Sequence, residues 1–269
     1  MFSEKSLFEK EGLHLEKERV LTYSKLFCPL GCKYCFAEDL EGRSGDKVSY
    51  LSEDQLNALE KIPPEISLIM LGCDTEFFQS KEGSLEILER LSHSDRDISI
   101  VTKMDLDSDF VKSLKNFDEV LNKNNKSLFV SFSIPCLDSA KIWEPGAPDP
   151  NARIESMKIV HDEGIKSFVA IRPLLPSVPD DELERIVDMT KGYSQGYYSG
   201  PLYVKNLDQG LVDTNNPELK IELVRPDWMP EGNEFYRIQK DGQMEFLRDT
   251  IIKSGNILFE GAADAIAHI

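Results

Sequence analysis

Along most of this chain, short apolar runs of strand length alternate with amphipathic helical segments, and this alternation restricts the fold more than any other feature. Residues 19–25 (RVLTYSK) read as a first strand running straight into a cysteine-rich loop. Ser52 then opens a helix through SEDQLNALEKI, with Gln55 three residues on completing a capping-box pattern. Strands are predicted at 66–71, 98–101, 128–134, 168–171 and 202–204. Between them lie helical patterns at 84–91, 109–121 and 152–162, the last stopped by Gly164, and another in DDELERIVDMTKG after Pro179. Six such units in series predict an α/β fold with a parallel sheet, because parallel neighbours need crossover connections. Curled on itself, that sheet is a partial (β/α)6 TIM-like barrel.

From Trp228 onward the pattern is less regular, with a helix around 244–252 and ILFEGA as a closing strand. No internal repeat, low-complexity tract or Gly/Ser-rich linker divides the chain. The expectation is one domain over 1–269, a barrel core at about 18–207 and a short C-terminal extension at about 208–269.

Composition narrows the function. Hydrophobic residues make up 41% of the 269 and charged residues 29%, which suits a globular chain with a sizeable core. No stretch approaches twenty apolar residues, so no membrane span is expected. The N-terminal MFSEKSLFEKEG lacks an apolar signal core, which reads as cytoplasmic. Lysine and arginine number 31 against 48 acids, a net charge of −17 that repels phosphate backbones and argues against a general nucleic-acid binder. Of five cysteines, three crowd into eight residues as Cys28-Pro-Leu-Gly-Cys32-Lys-Tyr-Cys35. In a reducing compartment such crowding points to a metal. Three thiolates on one loop suit three irons of a [4Fe–4S] cube, leaving the fourth iron open to a small molecule. The alternative is structural zinc, which wants four Cys or His ligands; the four histidines show no finger-like spacing.

A C-x3-C-x2-C loop directly after the first strand of a β/α barrel resembles the radical S-adenosylmethionine (SAM) superfamily. Within it, the chain is similar to the spore photoproduct lyase branch. GCDTEFFQ after the second strand looks like that branch's polar turn with a cysteine, and TKMD after the third like its Thr-Lys element. FSI, then WEPGAPDPNARIESMKIVHDEGI, then IRPLLP, follow in the family's order. The resemblance covers about 23–188; the C-terminal third carries no matching motif.

The resemblance implies that Cys28, Cys32 and Cys35 hold the cluster and that SAM chelates the open iron. An electron then cleaves the sulfonium bond to give a 5′-deoxyadenosyl radical. It places Tyr34 and Phe36 beside the cluster and the adenine end of SAM. Thr75 and Glu76 fall where the polar turn approaches SAM, and a carboxylate there could accept from an ammonium group or a ribose hydroxyl. Lys103 and Ser133 close the third and fourth strands, on the face where β/α sites collect, and offer a charge and a hydroxyl. Arg172 aligns with a position whose backbone contacts adenine, leaving its side chain for a substrate carboxylate or phosphate. Cys73 aligns with a hydrogen-atom donor; the bland reading is a buried small apolar residue.

Cys136 reads as core, and Glu144 with Arg153 as a structural ion pair. The aromatic segment GYSQGYYSGPLY, with Lys205 and Asn206 beyond it, reads as a pocket wall or a cover for the barrel end. A reducing partner such as flavodoxin or ferredoxin is implied. The expected substrate is a small molecule or peptide, and the outcome lysis, epimerisation or reductive rearrangement. Two other readings stay open: a nucleic-acid lyase or repair enzyme, and a non-catalytic iron–sulfur redox or binding protein.

Overall fold

The computed structural model describes residues 8–39, 49–207, 210–226 and 234–269; Trp228 lies outside them. The main sheet holds eight strands. These are β1 (Leu13–Glu16), β2 (Arg19–Thr22), β3 (Leu68–Leu71), β4 (Asp97–Thr102), β5 (Leu128–Ser133), β6 (Lys166–Ile171) and β7 (Tyr197–Ser199), joined at the far edge by Leu258–Phe259. β1 forms an antiparallel hairpin with β2, and every later pairing in this sheet is parallel. The expected α/β partial barrel is what forms, with the C-terminal ends of β2 to β7 on one side.

Local chemistry starts the helices where the sequence signals them. Helix α1 (Glu53–Leu59) carries the reciprocal Ser52–Gln55 capping box, and the Gln55 amide also donates to Tyr23 O at 3.1 Å. Helix α2 (Lys81–Leu91) starts three residues before its apolar spacing, because the Ser80 side chain accepts from Gly83 N. Asp107 and Asp149 cap α3 (Ser108–Asn122) and the helix Pro150–Asp162 in the same manner.

Parallel strands buried on both faces alternate between two apolar layers. Ile69, Leu71, Val169 and Ile171 face the outer layer under the helices. Leu68, Met70, Phe129, Phe168, Ala170 and Tyr198 face an inner cluster. Ala262 and Ala265, from the last helix (Ala262–Ala267), pack into that inner cluster beside Phe259. The C-terminal segment therefore supplies both an edge strand and part of the interior.

One expectation needs correction. The sixth parallel strand is not 202–204 but Tyr197–Ser199, inside the aromatic segment read as a pocket wall or cover. Gly200 and Pro201 break the run, and Pro201 has no N–H for a ladder. Leu202–Val204 (β8) instead pairs with β10 (Phe235–Lys240) in a second, three-stranded antiparallel sheet completed by β9 (Leu219–Val224). Two three-residue apolar runs carry the same local signal; pairing partners far along the chain choose between them. No helix among the described residues is long and apolar enough to cross a membrane.

Candidate active site

At the C-terminal ends of the parallel strands lies a cavity of about 270 Å³. All eleven residues singled out for the site line it. Cys28, Cys32, Cys35, Tyr34 and Phe36 come from the loop after β2; Cys73, Thr75 and Glu76 from the turn after β3. Lys103 follows β4, Ser133 ends β5 and Arg172 follows β6. Sites collect here because each strand ends in a loop aimed at the same space.

The cysteine loop is anchored by backbone bonds. Lys33 N donates to Trp143 O at 2.8 Å, and Gly146 N to Leu30 O at 3.0 Å. Asp74 holds the loop's entrance, accepting from Ser24 N at 2.9 Å and Lys25 N at 2.7 Å. Cys28 and Cys35 are half-buried and Cys32 is buried. They face one cavity without gathering as a single-ion ligand set.

Polar groups on the wall fall into two kinds. Thr75 Oγ1 and Ser133 Oγ are buried and have no hydrogen-bond partner among the described residues. Buried hydroxyls are normally satisfied, so these two fit a polar ligand in the cavity. Glu76, also on the wall, has partners within the chain. Its Oε1 accepts from Thr102 Oγ1 at 2.8 Å and Phe78 N at 3.0 Å, and its Oε2 from Lys103 N at 2.8 Å. That carboxylate ties the β3 turn to the end of β4.

Lys103 Nζ lies 5.7 Å from the Tyr34 ring centroid and 3.9 Å from Glu144 Oε1. Burial pulls the ammonium towards neutrality, but the negative groups at Cys32 and Glu144 outweigh it and raise its pKa above the ordinary value. Tyr34 donates its hydroxyl to Glu144, and burial together with that carboxylate holds the phenol well above its usual pKa. Phe36 meets the Phe235 ring edge-on at 6.3 Å.

Cys73 sits half-buried on the wall, its thiol donating weakly to Met70 O at 3.4 Å. Burial pushes its pKa up to about 12. Cys136 is fully buried and outside the cavity lining, as its core reading expects. Lys205 and Asn206 are likewise absent from the lining. Arg172 lies over Gly200, where a Cβ would approach its Nε to 3.2 Å.

Sequence reasoning missed Arg19, Tyr23 and Asp74, which also line the cavity, whereas Tyr198, Pro201 and Tyr203 belong to the aromatic segment read as a pocket wall or cover. Asp74 was within reach, since it stands inside the quoted GCDTE turn. Arg19 opens a strand and carries no local mark of its position; its side chain pairs with Glu16 at 2.6 Å.

The fold and site define an α/β partial barrel with a three-thiol loop at the C-terminal face. A family model described as the radical SAM superfamily matches residues 24–190. The chain belongs to that superfamily. It is 26% identical over 182 residues to an uncharacterized protein of Methanocaldococcus jannaschii, covering 64% of this chain and 65% of that one. An uncharacterized protein of Mycobacterium tuberculosis is 25% identical over 168 residues, 57% of this chain and 48% of the relative. The chain thus spans less than two thirds of either relative. Among solved structures, a spore photoproduct lyase variant superposes with a TM-score of 0.61 at 15% identity, over 84% of this chain and 72% of that one. Streptococcus suis SuiB bound to S-adenosylmethionine gives 0.54 at 14% identity, over 77% and 46%. At such identities the likeness is one of fold.

Proposed function

We propose that this chain is a radical SAM enzyme in which Cys28, Cys32 and Cys35 hold a [4Fe–4S] cluster and the adjoining wall binds SAM. The observation that carries this reading is the convergence of three thiols, two unpartnered buried hydroxyls and Lys103 on one cavity. When bound, the cluster and SAM supply, by one-electron reductive cleavage, a 5′-deoxyadenosyl radical that takes hydrogen from a substrate.

The chain's own residues then bind, orient and quench. Lys103 places a positive charge for the SAM carboxylate, and Thr75 and Ser133 offer hydroxyls to its polar groups. Tyr34 and Phe36 pack along the loop, and Glu76 holds the β3 turn in position. Arg172 stands over Gly200 for an anionic group of the substrate. Cys73 offers an S–H hydrogen to a carbon radical, which leads to lysis, epimerisation or reductive rearrangement.

A small molecule or peptide fits as substrate better than nucleic acid, given the net charge of −17. The electron comes from a carrier such as flavodoxin or ferredoxin. This chemistry belongs in a reducing cytoplasm, where neighbouring thiols stay available. The joining of the C-terminal strand to the main sheet supports reading 1–269 as one domain.

The test is anaerobic: reconstitute the cluster, reduce it with dithionite, add SAM and quantify 5′-deoxyadenosine. Production that disappears when Cys28, Cys32 and Cys35 are changed to alanine is expected. Cluster formation without SAM binding would sink the reading in favour of a redox or binding protein, and zinc after anaerobic purification would overturn the cluster itself.

A further inference from the structure

Glu144 is the most buried acid near the cavity, its side chain fully enclosed, and it touches three partners. Arg153 Nη2 lies 2.7 Å from its Oε2, and this guanidinium is itself fully enclosed. Arg153 is further fixed by donating from Nη1 to Ser133 O at 2.8 Å and from Nε to Pro148 O at 2.9 Å. On the other oxygen, Glu144 accepts the Tyr34 hydroxyl and faces Lys103 Nζ at 3.9 Å.

Arg153 alone neutralises this carboxylate, so the second cation is not needed to offset a buried charge. Lys103 differs from Arg153 in lining the cavity. Its stem has several rotatable bonds, and ordering them before a ligand arrives removes that cost from binding. Tyr34, between Cys32 and Cys35, is held by the same carboxylate.

We infer that Glu144 is a positioning residue: through Oε1, the oxygen away from Arg153, it holds the Lys103 ammonium where the SAM carboxylate docks, with Arg153 as the fixed back of the arrangement. This rests on the reading of Lys103 given under the proposed function.

The test measures SAM affinity of the cluster-loaded, unreduced protein by equilibrium dialysis, so turnover plays no part. Lys103→Met and Glu144→Gln are each expected to raise the Kd about tenfold, the size of one ordered charge contact. The K103M/E144Q double variant is expected to bind no more weakly than K103M, because the two act as one unit. Additive losses, or an E144Q protein with wild-type affinity, would overturn the proposal.

Glu144→Gln leaves Arg153 without its counter-charge and could unfold the chain. A paired E144M/R153M variant removes both charges together and keeps apolar volume, with folding followed by thermal melting. Weakened SAM binding by this pair in a folded, cluster-loaded protein supports the positioning role; wild-type affinity shows that Glu144 only neutralises Arg153. Failure of the functional reading looks different: wild type itself would not bind SAM, or K103M would bind it normally.

Discussion

Cys73 illustrates how a single position acquires chemistry from its surroundings. A thiol with an ordinary pKa of 9.0 is pushed up to about 12 by burial, against smaller opposing effects. Since the folded-state value is the raised one, its contribution to stability is complete below pH 9 and is lost as pH rises from 9 towards 12. At pH 8 the group stays S–H, the form that can give up a hydrogen atom. Iodoacetamide at pH 8 is therefore expected to label Cys73 in the folded protein far more slowly than in urea, where about a thousandfold more thiolate is present. Peptide mapping after a denaturing quench reads the difference; equal rates would remove the protected thiol from the argument.

Two loops of different origin act as one element around the thiols. The cysteine loop and the Glu144–Gly146 turn lie back to back, joined by the Lys33–Trp143 and Gly146–Leu30 backbone bonds. A Cβ on Gly146 would stand 2.7 Å from both Pro29 O and Leu30 O, backbone atoms that cannot swing aside. Glycine is needed here for close approach. Gly146→Ala is expected to push the loops apart at a cost of about 1–3 kcal/mol. Iron bound per chain after reconstitution should fall, alongside a lower Tm, while far-ultraviolet circular dichroism holds. Full iron loading would show that the loop tolerates the shift.

For the molecule as a whole, the cavity is assembled from strand ends spread between β2 and β7, with Ala262 from the last helix on its wall. A ligand seated there joins segments that are far apart in the chain, so binding should stabilise the whole fold. SAM at a hundredfold excess over its Kd is expected to add about 2.7 kcal/mol, seen as a rise in Tm of the cluster-loaded protein. Chelating the iron first should abolish most of that rise. An unchanged Tm with SAM present would place its binding, if any, off the folded cavity.

By itself the sequence determined the order of strands β2 to β6 and most helix starts and, through the family its motifs resemble, the eleven residues that meet at the cavity. Those features are local: apolar period, caps such as Ser52 with Gln55, and short motifs placed directly after strands. In a parallel sheet every strand end points to the same face, so placing a motif after a strand also places it at the site. Tertiary structure decided what local signals leave degenerate. It chose Tyr197–Ser199 over Leu202–Val204 for the main sheet, because pairing partners, not propensity, separate two short apolar runs. It tied Glu76 to the end of β4, since Thr102 Oγ1 and Lys103 N reach that carboxylate only once β3 and β4 lie side by side. It also brought Glu144 to Tyr34, 110 residues away, and to Lys103, where side chains distant in the chain share one buried charge.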